Sequence, residues 1–179
     1  MELEEAIVEF GTEGVLKYRE ISGSKADNEL PEVFLGSFIA PRLFEHLRCP
    51  VHVERLYTVL AKNIGIELTD DLLVELGGLR ADIAVYSSAG PQIVELKIFD
   101  ERRQPLSIAE DLLKIGKLTR SGKLRGYVAA MVCETGTQAL DARVHRLEEV
   151  LKTTIRRGPI KGSIDGSWTW CFGCAVWQG

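Results

Sequence analysis

R-A-D-I-A-V-Y (80–86) and Q-I-V-E-L-K-I-F (92–99) flank the segment S-S-A-G-P (87–91). Both flanks are short, rich in β-branched residues and free of proline. The segment between them is a turn, so the simplest reading is a β-hairpin. Side chains alternate along a strand, so Glu95 and Lys97 point one way while Val94, Leu96 and Ile98 point the other, into a core. On the neighbouring strand Asp82 lies on the face opposite Ile83 and Val85. A register pairing Asp82 with Lys97, or setting it diagonal to Glu95, would gather two carboxylates and an ammonium on one patch. Charges in an otherwise apolar hairpin are costly unless compensated. A divalent cation compensates them well: Mg2+ takes two carboxylates, with waters and a phosphate oxygen completing its shell. The competing reading is a surface ion pair on a solvated sheet face.

The elements around the hairpin follow from local signals. Asp27 or Asn28 suits a helix cap and Pro31 a first turn, ahead of Val33, Phe34, Leu35, Phe38, Ile39, Leu43, Phe44 and Leu47. Pro41 is expected to kink or split this helix, which ends before Cys49-Pro50. V-H-V-E-R-L-Y-T-V-L-A (51–61) reads as a strand. Ser107-Ile-Ala-Glu110 is a capping box opening a helix with Ile108, Leu112 and Ile115 on one side. G-Y-V-A-A-M-V-C (126–133) reads as an apolar strand. Leu140, Val144, Leu147, Leu151 and Ile155 fall at helical spacing in a helix expected over 139–157, closed by Gly158-Pro159. The tail S-W-T-W-C-F-G-C-A-V-W alternates like a strand. The expected architecture is a single α/β domain with a mixed central sheet flanked by helices. Residues 1–28 form an acidic N-terminal extension with a short amphipathic piece around Ile7, Val8, Val15 and Leu16. Residues 29–133 form the core, and 134–179 a C-terminal helix and strand.

Composition bounds the partners. The chain has 179 residues, 45% hydrophobic and 27% charged, enough for one real core and too ordered a mix for a disordered chain. No apolar run is long enough to span a membrane, and the acidic start M-E-L-E-E-A-I-V-E-F is unlike a targeting signal, so a cytoplasmic location is expected. The net charge of −4 hides a division: residues 1–96 carry 8 basic and 17 acidic side chains, and residues 97–179 carry 14 and 9. Such a chain does not coat nucleic acid but can present one basic face. Lys114, Lys117 and Arg120 fall within about 120° of one another on the helix after the hairpin. With Arg102, Arg103, Lys123 and Arg125 they are candidates for phosphate contacts; the alternative is an ordinary solvated face. Cys171 and Cys174 have zinc-knuckle spacing but lack a second close pair, so burial in a strand is the expectation. Trp168, Trp170 and Phe172 alternate on one face of the last strand, expected to pack under a helix rather than stack on bases. His46, His52 and His145 form no metal spacing.

Asp82, the 13-residue step to Glu95, and the triplet Glu95-Leu96-Lys97 resemble the core of the PD-(D/E)XK nuclease superfamily, the restriction-endonuclease-like fold with its α-β-β-β-α-β core. The resemblance spans roughly residues 29–133, with Ala81 where the family motif has proline. It implies that Asp82 and Glu95 bind Mg2+, or Mn2+ in its place, together with the Leu96 backbone carbonyl. It implies that Lys97 positions the attacking water and stabilises charge on the phosphate. Members often add a glutamate from the first helix; Glu29, Glu32 and Glu45 are candidates, and Glu32 stands where the family places it, against a plain role on the helix dipole. Asp111 or Lys114 would be the polar residue lent by the following helix, and Glu54 a further acid at the site edge. The implied function is a metal-dependent hydrolase, most simply a DNA endonuclease, catalytically built on Asp82, Glu95, Lys97 and Glu32. Two alternatives stand beside it. One is a catalytically silent nucleic-acid-binding or assembly module, acting as a homodimer or with a partner protein through the 139–157 helix. The other is an unrelated enzyme using the carboxylates as acid and base, for which no Gly-rich phosphate loop or nucleophile elbow speaks.

Overall fold

The stretch 80–99 folds as the hairpin its alternation requires. The computed structural model describes residues 2–23, 30–99, 108–163 and 165–177, without the side chains of residues 109–111, 114 and 115. In chain order the elements are α1 (Leu3–Ser22), α2 (Glu32–Leu47), β1 (Val51–Leu56), α3 (Tyr57–Asn63), α4 (Asp70–Leu76), β2 (Arg80–Ser87), β3 (Gly90–Phe99), α5 (Ala109–Thr119), β4 (Arg125–Glu134), α6 (Thr137–Leu151), the short β5 (Arg156–Arg157) and β6 (Lys161–Gly162), and β7 (Thr169–Trp177). The β2–β3 turn is tightened by Ser87 Oγ, which accepts from Ala89 N–H at 3.2 Å and donates to the Gly90 carbonyl at 3.2 Å. Gly90 sits at φ +106°, backbone that side-chain-bearing residues rarely adopt.

These strands form one sheet in the order β1-β2-β3-β4-β7-β5, with β6 alongside β7. Neighbours run antiparallel except β3 and β4, whose parallel pairing sets Glu95 opposite Val128 and Lys97 opposite Ala130. A parallel pair needs a crossover, and α5 lies in that connection. Helices cover both faces. Ile83, Val85, Val94, Leu96 and Ile98 face the cluster built by α1 and α2, whereas Ile93, Phe99 and Val128 join the cluster built with α3 to α6. The mixed α/β sheet flanked by helices is therefore as expected. Among the described residues no helix is long and apolar enough to cross a membrane.

Several local expectations are corrected. The N-terminal extension is a full 20-residue helix, α1, with Ile7, Gly11 and Val15 buried one turn apart. Helix α2 begins at Glu32 with Pro31 at its N-cap, not with a cap at Asp27 or Asn28, which lie outside the described residues. It runs unsplit through Pro41 and ends at Leu47. The strand expected over 51–61 stops at Leu56, because Tyr57, Leu60 and Ala61 bury at i, i+3, i+4 as helix α3. Helix α4 is an element that the pattern did not reveal; Thr69 caps it, its Oγ1 accepting from Leu72 N–H at 3.4 Å. The helix expected over 139–157 is α6, ending at Leu151 with Lys152 in the left-handed region at φ +54°. Ile155 therefore lies beyond the helix, where its N–H donates to Glu148 Oε1 at 3.0 Å. The apolar stripe of α6, Leu140, Val144, Leu147 and Leu151, is buried in the chain's own core rather than offered to a partner. Ser107 of the capping box lies outside the described residues, as does the Glu110 side chain.

On β7, Trp170 and Phe172 are fully buried, as expected of packing under a helix, whereas Trp168 lies just ahead of the strand and is half-buried. Cys171 and Cys174 stand three apart on that strand and enter opposite core clusters, so they cannot share a metal. The α1–β7 contact depends on Gly11: a Cβ there would lie 2.2 Å from the Phe172 ring. Glycine to alanine inside a helix ordinarily stabilises by about 1 kcal/mol. Here the sign reverses, and Gly11→Ala is expected to cost about 1–3 kcal/mol by overpacking, read as a lower midpoint in urea denaturation.

Candidate functional site

The site forms where β2 parts from β3. Their paired residues run from Ser87–Gly90 to Ile83–Val94. Further along β3, carboxylates take over the role of a strand partner. Asp82 Oδ2 accepts from Leu96 N–H at 2.6 Å, and Glu32 Oε1 accepts from Ile98 N–H at 3.2 Å. Buried backbone donors must find acceptors, and here two acidic side chains supply them. Asp82 is placed by β2 and Glu32 by the first turn of α2, so the divergence of two strands and the arrival of a helix end bring both acids to one strand edge. A strand residue presents its N–H and C=O to the same side, so the Leu96 carbonyl is directed toward this edge as well.

Continuing the hairpin register by one residue sets Asp82 across from Glu95, not from Lys97. Glu95 is 6% exposed, and its Oε1 accepts a hydrogen bond from the Tyr57 hydroxyl. Lys97 Nζ lies 4.0 Å from Glu32 Oε2, its side chain 12% exposed. Of the three glutamates weighed on or before the first helix, Glu32 reaches the site. Glu45 is exposed in the last turns of α2, and Glu29 lies outside the described residues. Glu54 is also close. The β1–β2 pairs pass from Val53–Ile83 to Arg55–Ala81, leaving Glu54 facing Asp82, with Glu54 at φ +52° and its carbonyl accepting from Arg80 at 2.9 Å.

Burial pushes the Asp82 carboxyl above the usual carboxylate range, and the negative charges of Glu32 and Glu54 push the same way. The Leu96 N–H and the Lys97 ammonium pull it down without cancelling the rise. Asp82, Glu32 and Glu54 thus stand close enough to act on one another electrostatically, with Lys97 beside them. Asp82, Glu95 and the Leu96 carbonyl are hard oxygen donors of the kind Mg2+ prefers. Among the described residues no group of three or more His, Cys, Asp or Glu side chains is arranged to hold a metal ion. A cation here would rest on two carboxylates and a carbonyl, with waters and a ligand oxygen completing its shell. The donor chemistry and the gathering of acids at this edge both fit that arrangement.

The basic residues are placed less uniformly. Lys117 is paired with Glu75 of α4, Lys123 Nζ donates to the Gly65 carbonyl at 2.8 Å, and Arg125 stands near the Tyr127 side chain. Arg120 is exposed beside a groove lined by Leu113, Gly116 and Trp177. Arg102 and Arg103 lie outside the described residues, as do the side chains of Lys114 and Asp111. Of the histidines, His46 packs edge-on against Phe10 and His52 against Tyr86, while His145 lies 3.6 Å from both Glu148 and Glu149.

Tyr57 is the site residue that the pattern did not reveal. In the strand expected over 51–61 it was one apolar position among several, and its contact with Glu95 spans 38 residues of sequence. Compared with protein-family models, with curated proteins and with solved structures, the chain finds no match.

Proposed function

We propose that the chain is a Mg2+-dependent nuclease of the PD-(D/E)XK kind, hydrolysing phosphodiester bonds, with DNA as its substrate. The observation that carries this reading is the edge of β3, where Asp82 and Glu32 accept from successive outward N–H groups and Lys97 stands between them. The order α2, β1, β2, β3, α5, β4, interrupted by α3 and α4 between β1 and β2 and with a parallel β3–β4 pair, supports a restriction-endonuclease-like core.

The roles follow from the chemistry of each group. Asp82, Glu95 and the Leu96 carbonyl would hold the cation, which supplies positive charge to the scissile phosphate and makes the attacking water more acidic. Lys97 carries a mostly desolvated ammonium. It is suited to orient that water and to offset the charge that develops on the phosphate oxygens. Glu32 steadies Lys97 from the far side while its other oxygen keeps hold of Ile98 N–H. The excess of Lys and Arg after residue 96 supports a phosphate backbone as the ligand.

The test is a cleavage panel over plasmid, branched and single-stranded substrates with Mg2+ and with Mn2+. Cleavage by the wild-type chain and its loss in Asp82→Ala/Glu95→Ala are expected. Cleavage retained by the double variant would overturn the reading.

A further inference from the structure

We infer that Tyr57 is a positioning residue for the candidate metal site, holding the Glu95 carboxylate in the orientation from which it meets the cation. The inference rests on the nuclease reading above and adds to it a residue outside the Asp-Glu-Lys motif. Glu95 is 6% exposed, and a carboxylate so buried must be hydrogen-bonded to keep its charge. The donor is a hydroxyl whose own position is fixed. Tyr57 is 3% exposed, packs in the core cluster with Leu60, Leu76 and Ala81, and donates its backbone N–H to the Leu79 carbonyl at 3.1 Å.

That last bond ties the first residue of α3 to the residue just before β2, the strand that carries Asp82. One short connection thus registers Tyr57 against both acids. With Oε1 bound to the hydroxyl, the carboxylate of Glu95 cannot turn freely about its terminal bond, and the direction of its second oxygen is set. Partners that orient a metal ligand in this way are worth about 10- to 100-fold in metal affinity or activity. The abrupt change from strand to helix at Tyr57 gains a functional reason: a strand continued through residue 57 would not deliver this hydroxyl from a helix start.

The experiment compares Tyr57→Phe with the wild-type chain. Phe keeps the ring in the core and removes the donor. The affinity for Mg2+ and Mn2+, measured by calorimetry without substrate, is expected to fall about 10- to 100-fold. The metal concentration giving half-maximal cleavage should rise in step, with most of the rate recovered at saturating metal. The melting temperature in EDTA reads any purely structural role. A variant that melts lower yet binds metal as the wild type does overturns the proposal, as does one unchanged in every measurement. Where Tyr57→Phe does not fold, 3-fluorotyrosine introduced at position 57 keeps the shape and changes the donor strength, and unchanged metal affinity there overturns the proposal too. A wild-type chain that binds neither cation overturns the nuclease reading and the role of Tyr57 together; a wild-type chain that binds, with an unaltered variant, overturns the role of Tyr57 alone.

Discussion

Lys97→Ala is expected to lower cleavage by about 1,000-fold while leaving divalent-metal affinity within a few-fold of the wild type. The separation follows from where the groups stand. Lys97 shares its strand with Glu95 but, as a cation, ligates no metal, and its ammonium lies 4.0 Å from Glu32 Oε2. Removing it leaves the Asp82 and Glu32 bonds to β3 in place, because both acids are anchored by backbone donors. What disappears is a desolvated positive charge, worth far more to a developing phosphate charge than one in water. Lys97→Arg should not restore the rate, since a planar guanidinium delivers its charge elsewhere than a point ammonium. Single-turnover cleavage together with calorimetric Mg2+ binding reads both halves of the prediction. Loss of metal binding along with activity would make Lys97 a structural group instead.

Asp82→Asn should abolish cleavage and at the same time stabilise the metal-free chain. The Asn carbonyl can still accept from Leu96 N–H, so the strand edge keeps its acceptor while the charge is gone. Asp82 has its carboxyl raised in the fold, first by burial and then by Glu32 and Glu54. A raised acid binds its proton more tightly folded than unfolded. The metal-free wild type therefore gains stability as pH falls through the raised value and loses it as pH climbs above. The Asn variant carries no such group, so its stability should vary less over that window and exceed the wild type's near pH 7. The gain is expected at about 1 kcal/mol, or 2–4 °C in melting temperature at this length. Saturating Mg2+ reverses the order. At 100 times its Kd the cation stabilises the wild type by about 2.7 kcal/mol and leaves the variant unmoved. Thermal melts at pH 5 and pH 8, in EDTA and in Mg2+, provide the four comparisons. A wild type more stable than Asp82→Asn in EDTA at pH 8 would remove the electrostatic argument for a cation at this edge.

Local sequence is enough to specify the hairpin, the faces of its strands and the identity of the acids on it. These depend on period-two alternation and a turn over some 20 residues, and local geometry enforces both. It also determined that Val94, Leu96 and Ile98 point to a core and that Trp170 and Phe172 pack inside.

The remaining features depend on the packed fold, because each is a contact between residues far apart in the chain. Glu32 was one of three candidate glutamates until α2 brought it to Ile98, 66 residues away. Thr58 and Val59 favour a strand by propensity, yet residues 57–63 became a helix because Tyr57, Leu60 and Ala61 found a core on one side. In the N-terminal helix the absence of a side chain at Gly11 lets α1 close on Phe172, a contact with the far end of the chain. Lys117 stood in a run of positive charge, and its fold partner Glu75 lies 42 residues earlier. The charge division was legible from the start. Where its two halves meet was decided by the parting of β2 from β3, since that separation leaves backbone donors which only approaching carboxylates could satisfy.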